Sequence, residues 1–226
     1  MKYRHEIKYT INKNIAHILM QRLSIIMDID KNSINSDNSY FIRSLYFDDL
    51  NCTAYHEKID GVEYRKKYRI RIYNNDTSFI RLECKYKHEN MTSKEQILID
   101  KNICDRIIMG RVEDAVIKKD NLLTRFVKDI KIKNLKPSVI VDYTRIAYTY
   151  PVSDVRITFD FDVKSGLYNY NLYDNNMQTY DVLENNLVIL EVKYNEILPY
   201  PIAKILSTVP ISRQAFSKFA ACASIK

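Results

Sequence analysis

The chain has 226 residues, 46% hydrophobic and 28% charged, with 35 basic against 28 acidic side chains and a net charge of +7. That length can bury a full core in a single domain, and the composition excludes a disordered chain. The basic excess favours an anionic partner without choosing among nucleic acid, a membrane surface and phosphorylated metabolites.

Residues 3–11 alternate and predict a first strand. Asn12 then reads as an N-cap, followed by Ile15, Ile18, Leu19, Leu23, Ile26 and Met27 at helical spacing. A polar loop over 28–39 leads into a strand at 40–47, which ends at Asp48 and Asp49 as turn residues. Strands at 63–73 and 78–87 form a predicted hairpin around Asn74-Asn75-Asp76-Thr77, and 95–99 adds a short strand. A helical insertion covers about 101–134, with Gly110 and residues 118–120 as breaks, and Pro137 is expected to end it. Further strands are predicted at 138–148, 155–163, 172–173 with 179–180, and 187–194, and helices at about 201–208 and 213–223. The expected architecture is α+β: one domain over 1–226, an eight-stranded antiparallel barrel with flanking helices.

Three of these strands carry charge on alternate residues. Arg65, Lys67, Arg69 and Arg71 share one face, as do Arg81, Glu83, Lys85 and Lys87, and Glu191 with Lys193. Cations two residues apart on a strand sit roughly 7 Å from each other. They repel by roughly 2 kcal/mol at an effective dielectric of about 20, against about 0.6 kcal/mol in bulk water. If such faces are enclosed, a strongly anionic ligand must offset that repulsion. The bland alternative is a solvated outer face, and it is the expectation for Lys66 and Arg81. Tyr64, Tyr68, Tyr86 and Tyr194 alternate with the charged set and belong to the opposite, packing face, whereas Ser44 and Tyr46 share one face and could donate hydrogen bonds in the interior. Three glycines, in neither a G-x-x-x-x-G-K-[ST] nor a G-x-G-x-x-G pattern, leave phosphate binding to side-chain cations. Four scattered cysteines without a C-x-x-C pair argue against a zinc site or disulfide scaffold and suit a reducing compartment. With no signal peptide and no long apolar run, a soluble cytoplasmic protein is expected.

Several short motifs fall in order along nearly the whole chain: Glu6-Ile7-Lys8-Tyr9, Ser44-Leu45-Tyr46-Phe47-Asp48, Lys67-Tyr68-Arg69-Ile70-Arg71-Ile72-Tyr73, Leu82-Glu83-Cys84-Lys85, Asp142-Tyr143-Thr144-Arg145, Arg156-Ile157-Thr158-Phe159-Asp160, Leu190-Glu191-Val192-Lys193 and Phe216-Ser217-Lys218-Phe219. In this the chain resembles the triphosphate tunnel metalloenzymes of the CYTH-like fold, and more closely the polyphosphate-polymerase domain of the vacuolar transporter chaperone family. The resemblance implies an eight-stranded tunnel lined by Lys and Arg for phosphate and by glutamates for a divalent cation. Carried over by position, Lys8, Arg69, Arg71, Lys85, Arg145, Arg156, Lys193 and Lys218 would contact phosphate and carry catalysis. Lys67 and Lys87, with Ser44 and Tyr46, would add phosphate contacts. Glu191 is the foremost candidate for Mn²⁺ or Mg²⁺, with Glu6 and Glu83 next, although Glu83 and Glu191 could instead be salt-bridge partners tiling the cationic wall. Asp160 or Asp162 could pair with Arg156.

Hydrolytic relatives in the wider fold open with Glu-x-Glu-x-Lys, whereas the first of those positions here is Arg4. The lost carboxylate favours the polymerase-like branch. The expectation is therefore an ATP-dependent polyphosphate polymerase that transfers the terminal phosphoryl group to a growing chain. The rivals are a triphosphate or tripolyphosphate hydrolase on the same fold and a non-catalytic module that binds polyphosphate or inositol phosphates. A nucleic-acid partner is disfavoured, since the aromatics and cations alternate rather than share a face. The resemblance makes association with a membrane-protein partner an expectation, with no direct membrane insertion by this chain.

Overall fold

A computed structural model describes residues 3–33, 35–112 and 121–225. In chain order the elements are β1 (Arg4–Asn12), α1 (Lys13–Leu23), β2 (Asp28–Ile29), β3 (Ser39–Asp48), α2 (Thr53–Ile59), β4 (Tyr64–Tyr73), β5 (Asp76–His88), β6 (Met91–Ile99), α3 (Lys101–Ile108), α4 (Leu122–Lys133), β7 (Lys136–Thr149), β8 (Arg156–Ser165), β9 (Tyr180–Asp181), β10 (Leu187–Tyr194), α5 (Tyr200–Leu206) and α6 (Lys218–Ala223). All strand pairs are antiparallel. The sheet runs β2-β7-β3-β4-β5-β6-β1-β10-β8-β9, and a further pairing of β7 with β8 joins eight of its strands in a ring. The two-residue strands β2 and β9 lie outside that ring, on β7 and β8.

Two of the three apolar clusters lie on the outer face of the ring. Ile70, Ile72, Leu82 and Cys84 of β4 and β5 pack with Phe126, Val127 and Ile130 of α4 and Ile107 of α3. On another side Leu19 and Leu23 of α1 and Ile202 and Leu206 of α5 cover Ile157, Phe159, Leu190 and Val192. A third cluster lies inside the ring, where Phe219 and Cys222 of α6 pack on Val139, Val141 and Val163 beside Tyr40, Tyr46 and Tyr143, so that α6 fills part of the interior. Strand alternation turns the residues between the outer apolar ones inward, and on β1, β4, β5, β7, β8 and β10 these include the charged residues.

The first strand, the Asn12 cap, the hairpin and the strand at Leu187–Tyr194 form as expected. The Asn12 side chain accepts from the Ile15 N–H. Asn74 and Asn75, at φ 49° and 57°, make the left-handed two-residue turn, a conformation that Asn tolerates better than most residues. Other expectations shift. The helical insertion ends at Asn134 (φ 53°), before Pro137, which lies inside β7 where the register with β3 slips. The Gly110 break stands, at φ 74°; the expected helical position Val116 and the break at 118–120 lie outside the described residues. Residues 172–173 are not a strand. Asn169, Asn171 and Asp174 each accept from the backbone N–H two residues on, and these local turns replace ladder bonds. The final helix begins only at Lys218, because Arg213 bridges to Tyr9 and the Gln214 N–H donates to the Lys8 carbonyl, holding that stretch extended along β1. Helix α2 was not anticipated from the sequence. It buries no side chain of its own, so it lacks the apolar stripe that marks a helix, and Asp48 supports its first turn by accepting from Ala54 and Tyr55.

Candidate functional site

The inward faces enclose a cavity of about 740 Å³. Thirteen cationic side chains line it against three carboxylates, so its field attracts anions throughout. The register sets like and unlike charges side by side: Lys67 lies opposite Lys85, Arg69 opposite Glu83 and Arg71 opposite Arg81 between β4 and β5. Lys8 lies opposite Glu191 and Glu6 opposite Lys193 between β1 and β10, and Arg145 of β7 lies opposite Asp160 of β8.

Two groups of ion pairs organise the wall. In the first, Glu83 is fully buried and accepts from Arg69 at 2.7 and 2.6 Å through Oε2 and from Lys94 at 3.1 Å through Oε1. Arg69 also donates to the Tyr46 hydroxyl at 2.8 Å, and Arg71 donates to Ser44 and to the Tyr143 hydroxyl, each at 2.9 Å. In the second group, Lys8 stands 3.4 Å from both Glu6 and Glu191. Lys193 reaches Glu191 at 2.9 Å and Glu6 at 3.9 Å, Lys85 reaches Glu6 at 2.7 Å, and Lys218 bridges Glu191 at 2.9 Å and Asp160 at 2.5 Å. Arg145 holds Asp160 with two bonds of 2.5 and 2.7 Å.

Protonation follows from this crowding. Burial opposes ionisation of Glu6 and Glu191, but Lys85, Lys193 and Lys8 hold the first well below the usual carboxylate range, and Lys193, Lys218 and Lys8 do the same for the second. Glu83 is likewise buried yet ionised beside Arg69, Arg71 and Lys94. The lysines divide. Burial, with Lys85, Lys8 and Arg69 nearby, pushes Lys67 well below its ordinary value. Its ammonium lies 5.4 Å from the Tyr46 ring centroid and 5.1 Å from that of Phe219, and among the described residues no carboxylate pairs with it. Burial lowers Lys94 to about 7, with Glu83 only partly opposing.

Most residues singled out in the sequence meet here. Lys8, Lys67, Arg69, Arg71, Lys85, Arg145, Arg156, Lys193, Lys218, Tyr46, Glu6 and Glu191 all line the cavity. Ser44 stands behind Arg71, accepting from its Nε, and Glu83 stands behind Arg69 and Lys94. Lys87 belongs instead to a second cavity of about 720 Å³, with Lys58, Arg65 and Arg213. The two cavities meet at Glu6, Lys8, Lys67, Lys85, Thr92 and Ser217.

Two expectations are corrected. Arg81 faces the cavity, not the outside, because it keeps the alternation of Glu83 and Lys85 and lies well inside β5, which begins at Asp76. Arg156 pairs at 2.8 Å with Asp30 from the 28–39 loop; Asp160 is taken by Arg145 and Lys218, and Asp162 faces Lys13. Lys66 does lie outside, bonded to Asp129 of α4 at 2.6 Å. Lys94 escaped the sequence reading, since the polar Ser93-Lys94-Glu95-Gln96 stretch of β6 looks like a solvated edge. Its alternation with Thr92 and Gln96, which also line the cavity, was the available signal.

For a divalent cation the protein offers oxygen donors of the right kind. Glu6 and Glu191 are both ionised and both reach the same Lys8 ammonium. Among the described residues no three His, Cys, Asp or Glu side chains group as ligands. Two carboxylates with the remaining positions left to phosphate oxygens and water is a set suited to Mg²⁺ or Mn²⁺.

The VTC domain family matches residues 3–225. No curated protein sequence matches the chain. Among solved structures, the PH1819 protein of Pyrococcus horikoshii OT3 is similar at a TM-score of 0.50 and 11% identity, with 99% of each chain covered. A putative adenylate cyclase of Bacillus halodurans is similar at 0.48 and 13%, over 87% of this chain and 83% of that one. Another from Vibrio parahaemolyticus gives 0.46 and 10%, over 92% and 84%.

Proposed function

This chain belongs to the VTC domain family, and from that premise we propose that it is an ATP-dependent polyphosphate polymerase, moving the terminal phosphoryl group of ATP onto a growing phosphate chain inside the ring. The observation that carries the reading is the wall itself: cations far in excess of carboxylates, enclosed, around two ionised glutamates.

Transfer between phosphates asks little covalent chemistry of the protein. The accepting oxygen is already ionised, so the work is alignment and charge stabilisation. Arg69, Arg71 and Arg145 are held by Glu83, Ser44, Tyr143 and Asp160, which fixes their guanidinium planes and leaves remaining N–H groups for phosphate. Buried Lys67 has no carboxylate partner among the described residues, and an incoming phosphate would supply one. Lys8 and Lys193 bind the glutamates and phosphate from one place, while Lys218 enters from α6 and closes the wall beside Glu191. Glu6 and Glu191 would hold the divalent cation, Mn²⁺ or Mg²⁺, which when bound would supply positive charge to offset that of the phosphates. In this reading Glu83 orients Arg69 and Lys94 rather than binding metal.

The hydrolase reading is less well supported because Arg4, where the hydrolytic pattern has a carboxylate, faces the cavity as a cation. A membrane-protein partner remains part of the proposal; no helix among the described residues is long and apolar enough to cross a membrane. The test is to incubate the protein with ATP and Mn²⁺ and resolve products by length. A ladder that lengthens with time, and is lost in Glu191→Ala and Arg69→Ala chains that keep their fold, is expected. Free phosphate released from triphosphate without chain growth would assign a hydrolase, and tight binding without either product a binding module.

A further inference from the structure

The two ends of the cavity differ in chemistry. The end that continues into the second cavity carries Lys58, Arg65, Lys87 and Arg213. At the other end, beside the β4–β5 hairpin, the wall turns aromatic. Tyr73 lies 6.2 Å from Tyr40 and 6.2 Å from Phe79, ring centre to ring centre. The Arg81 guanidinium stands 4.6 Å from the Phe79 centroid and 5.5 Å from that of Tyr73, and among the described residues no carboxylate pairs with it. Arg71, opposite Arg81 in the register, approaches the same Tyr73 ring at 5.9 Å while donating inward to Ser44 and Tyr143. Tyr73, Phe79 and Arg81 are only partly buried, yet all three line the cavity.

A phosphate chain is recognised by cations and gains nothing from planar apolar surface. A nucleobase does gain from it, because every base has a π-face that stacks on aromatic rings and guanidinium planes. Resting on the phosphate-transfer reading above, we propose that Phe79, Arg81 and Tyr73 form a nucleobase subsite at this mouth. A nucleoside triphosphate enters with its base stacked on this rim and its phosphates directed past Arg71 into the cationic wall. The rim is then what distinguishes a nucleotide from inorganic tripolyphosphate, and stacking without base-edge contacts makes it tolerant of the base.

The test is titration of the whole chain, in the presence of Mn²⁺, with ATP, GTP and inorganic tripolyphosphate. Phe79→Ala should weaken ATP and GTP by about tenfold while tripolyphosphate stays within about twofold. Phe79→Tyr should keep nucleotide affinity, and unchanged tripolyphosphate binding certifies the fold of both variants. Equal weakening of all three ligands by Phe79→Ala, or unchanged nucleotide affinity, overturns the subsite and leaves the phosphate site standing. Failure of tripolyphosphate to bind the unaltered chain overturns the phosphate reading of the cavity and the subsite with it.

Discussion

Lys94 concentrates the balance between repulsion and pairing that runs through the site. It faces the same cavity as Arg69 and Arg71, and burial with those neighbours lowers it to about 7 even though Glu83 accepts a hydrogen bond from it at 3.1 Å. Its folded value lies below the ordinary value near 10.4. The folded chain therefore binds fewer protons than the unfolded one between about 7 and about 10.4, and this group makes the fold less stable as pH falls through that window. Anion binding has the opposite sign, since phosphate favours the protonated amine. Tripolyphosphate affinity should fall as pH rises from about 6 to about 8, with proton uptake on binding near pH 7. In Lys94→Met the slope should flatten, as titration in buffers of differing ionisation enthalpy would detect. Unchanged proton uptake in that variant would remove Lys94 from the site.

Among the elements, the β4–β5 hairpin does most to position functional groups, because it carries Lys67, Arg69, Arg71, Glu83 and Lys85 on one face and the outer core on the other. Its turn rests on two residues of positive φ, and the Asn74 side chain also accepts from the Phe41 N–H at 2.8 Å, tying the turn to β3. Asn75 is exposed, so its backbone conformation is what matters. Asn75→Gly should leave stability unchanged or slightly raised, whereas Asn75→Val, which cannot adopt φ 57° without a clash, should lose about 1–2 kcal/mol in chemical denaturation. This hairpin was legible in the sequence because its pattern is local: alternation of period two around an Asn-Asn-Asp turn. Helix α2 and the late start of α6 were not, because one is supported by Asp48 from outside its span and the other is delayed by pairing of the preceding residues with β1. Arg81 was misread for a related reason: an expected strand of 78–87 left it near an apparent start, whereas β5 begins at Asp76 and the ring's interior extends past Arg81 to Phe79.

At the scale of the whole molecule, the fold confines much of its net charge of +7 to one enclosed wall. Carboxylates in and behind the wall relieve part of the repulsion, but among the described residues none pairs with Lys67 or Arg81, which are left to a ligand or to solvent. A polyanion that binds only the folded chain should thus stabilise it strongly. At a tripolyphosphate concentration of about 100 times its dissociation constant the gain is about 2.7 kcal/mol, a rise in melting temperature of roughly 5–10 °C for a domain of this size. Added monovalent salt should reduce that shift by screening. A melting temperature insensitive to tripolyphosphate would count against an anion-binding interior.

By itself the sequence determined which residues share a face on the charged strands β4, β5 and β10, because side-chain direction in a regular strand follows residue parity. It also determined that an enclosed cationic face needs an anion, because like charges repel wherever water is excluded. Only the tertiary structure decided that the ring joins β7 to β8, that Glu6 and Glu191 share Lys8, that Arg156 is held by Asp30, and that one mouth is aromatic and the other cationic. Those facts depend on distances between residues as far apart in the chain as Lys8 and Glu191. Coulomb energy and hydrogen bonding follow separation in space, which local patterning does not encode.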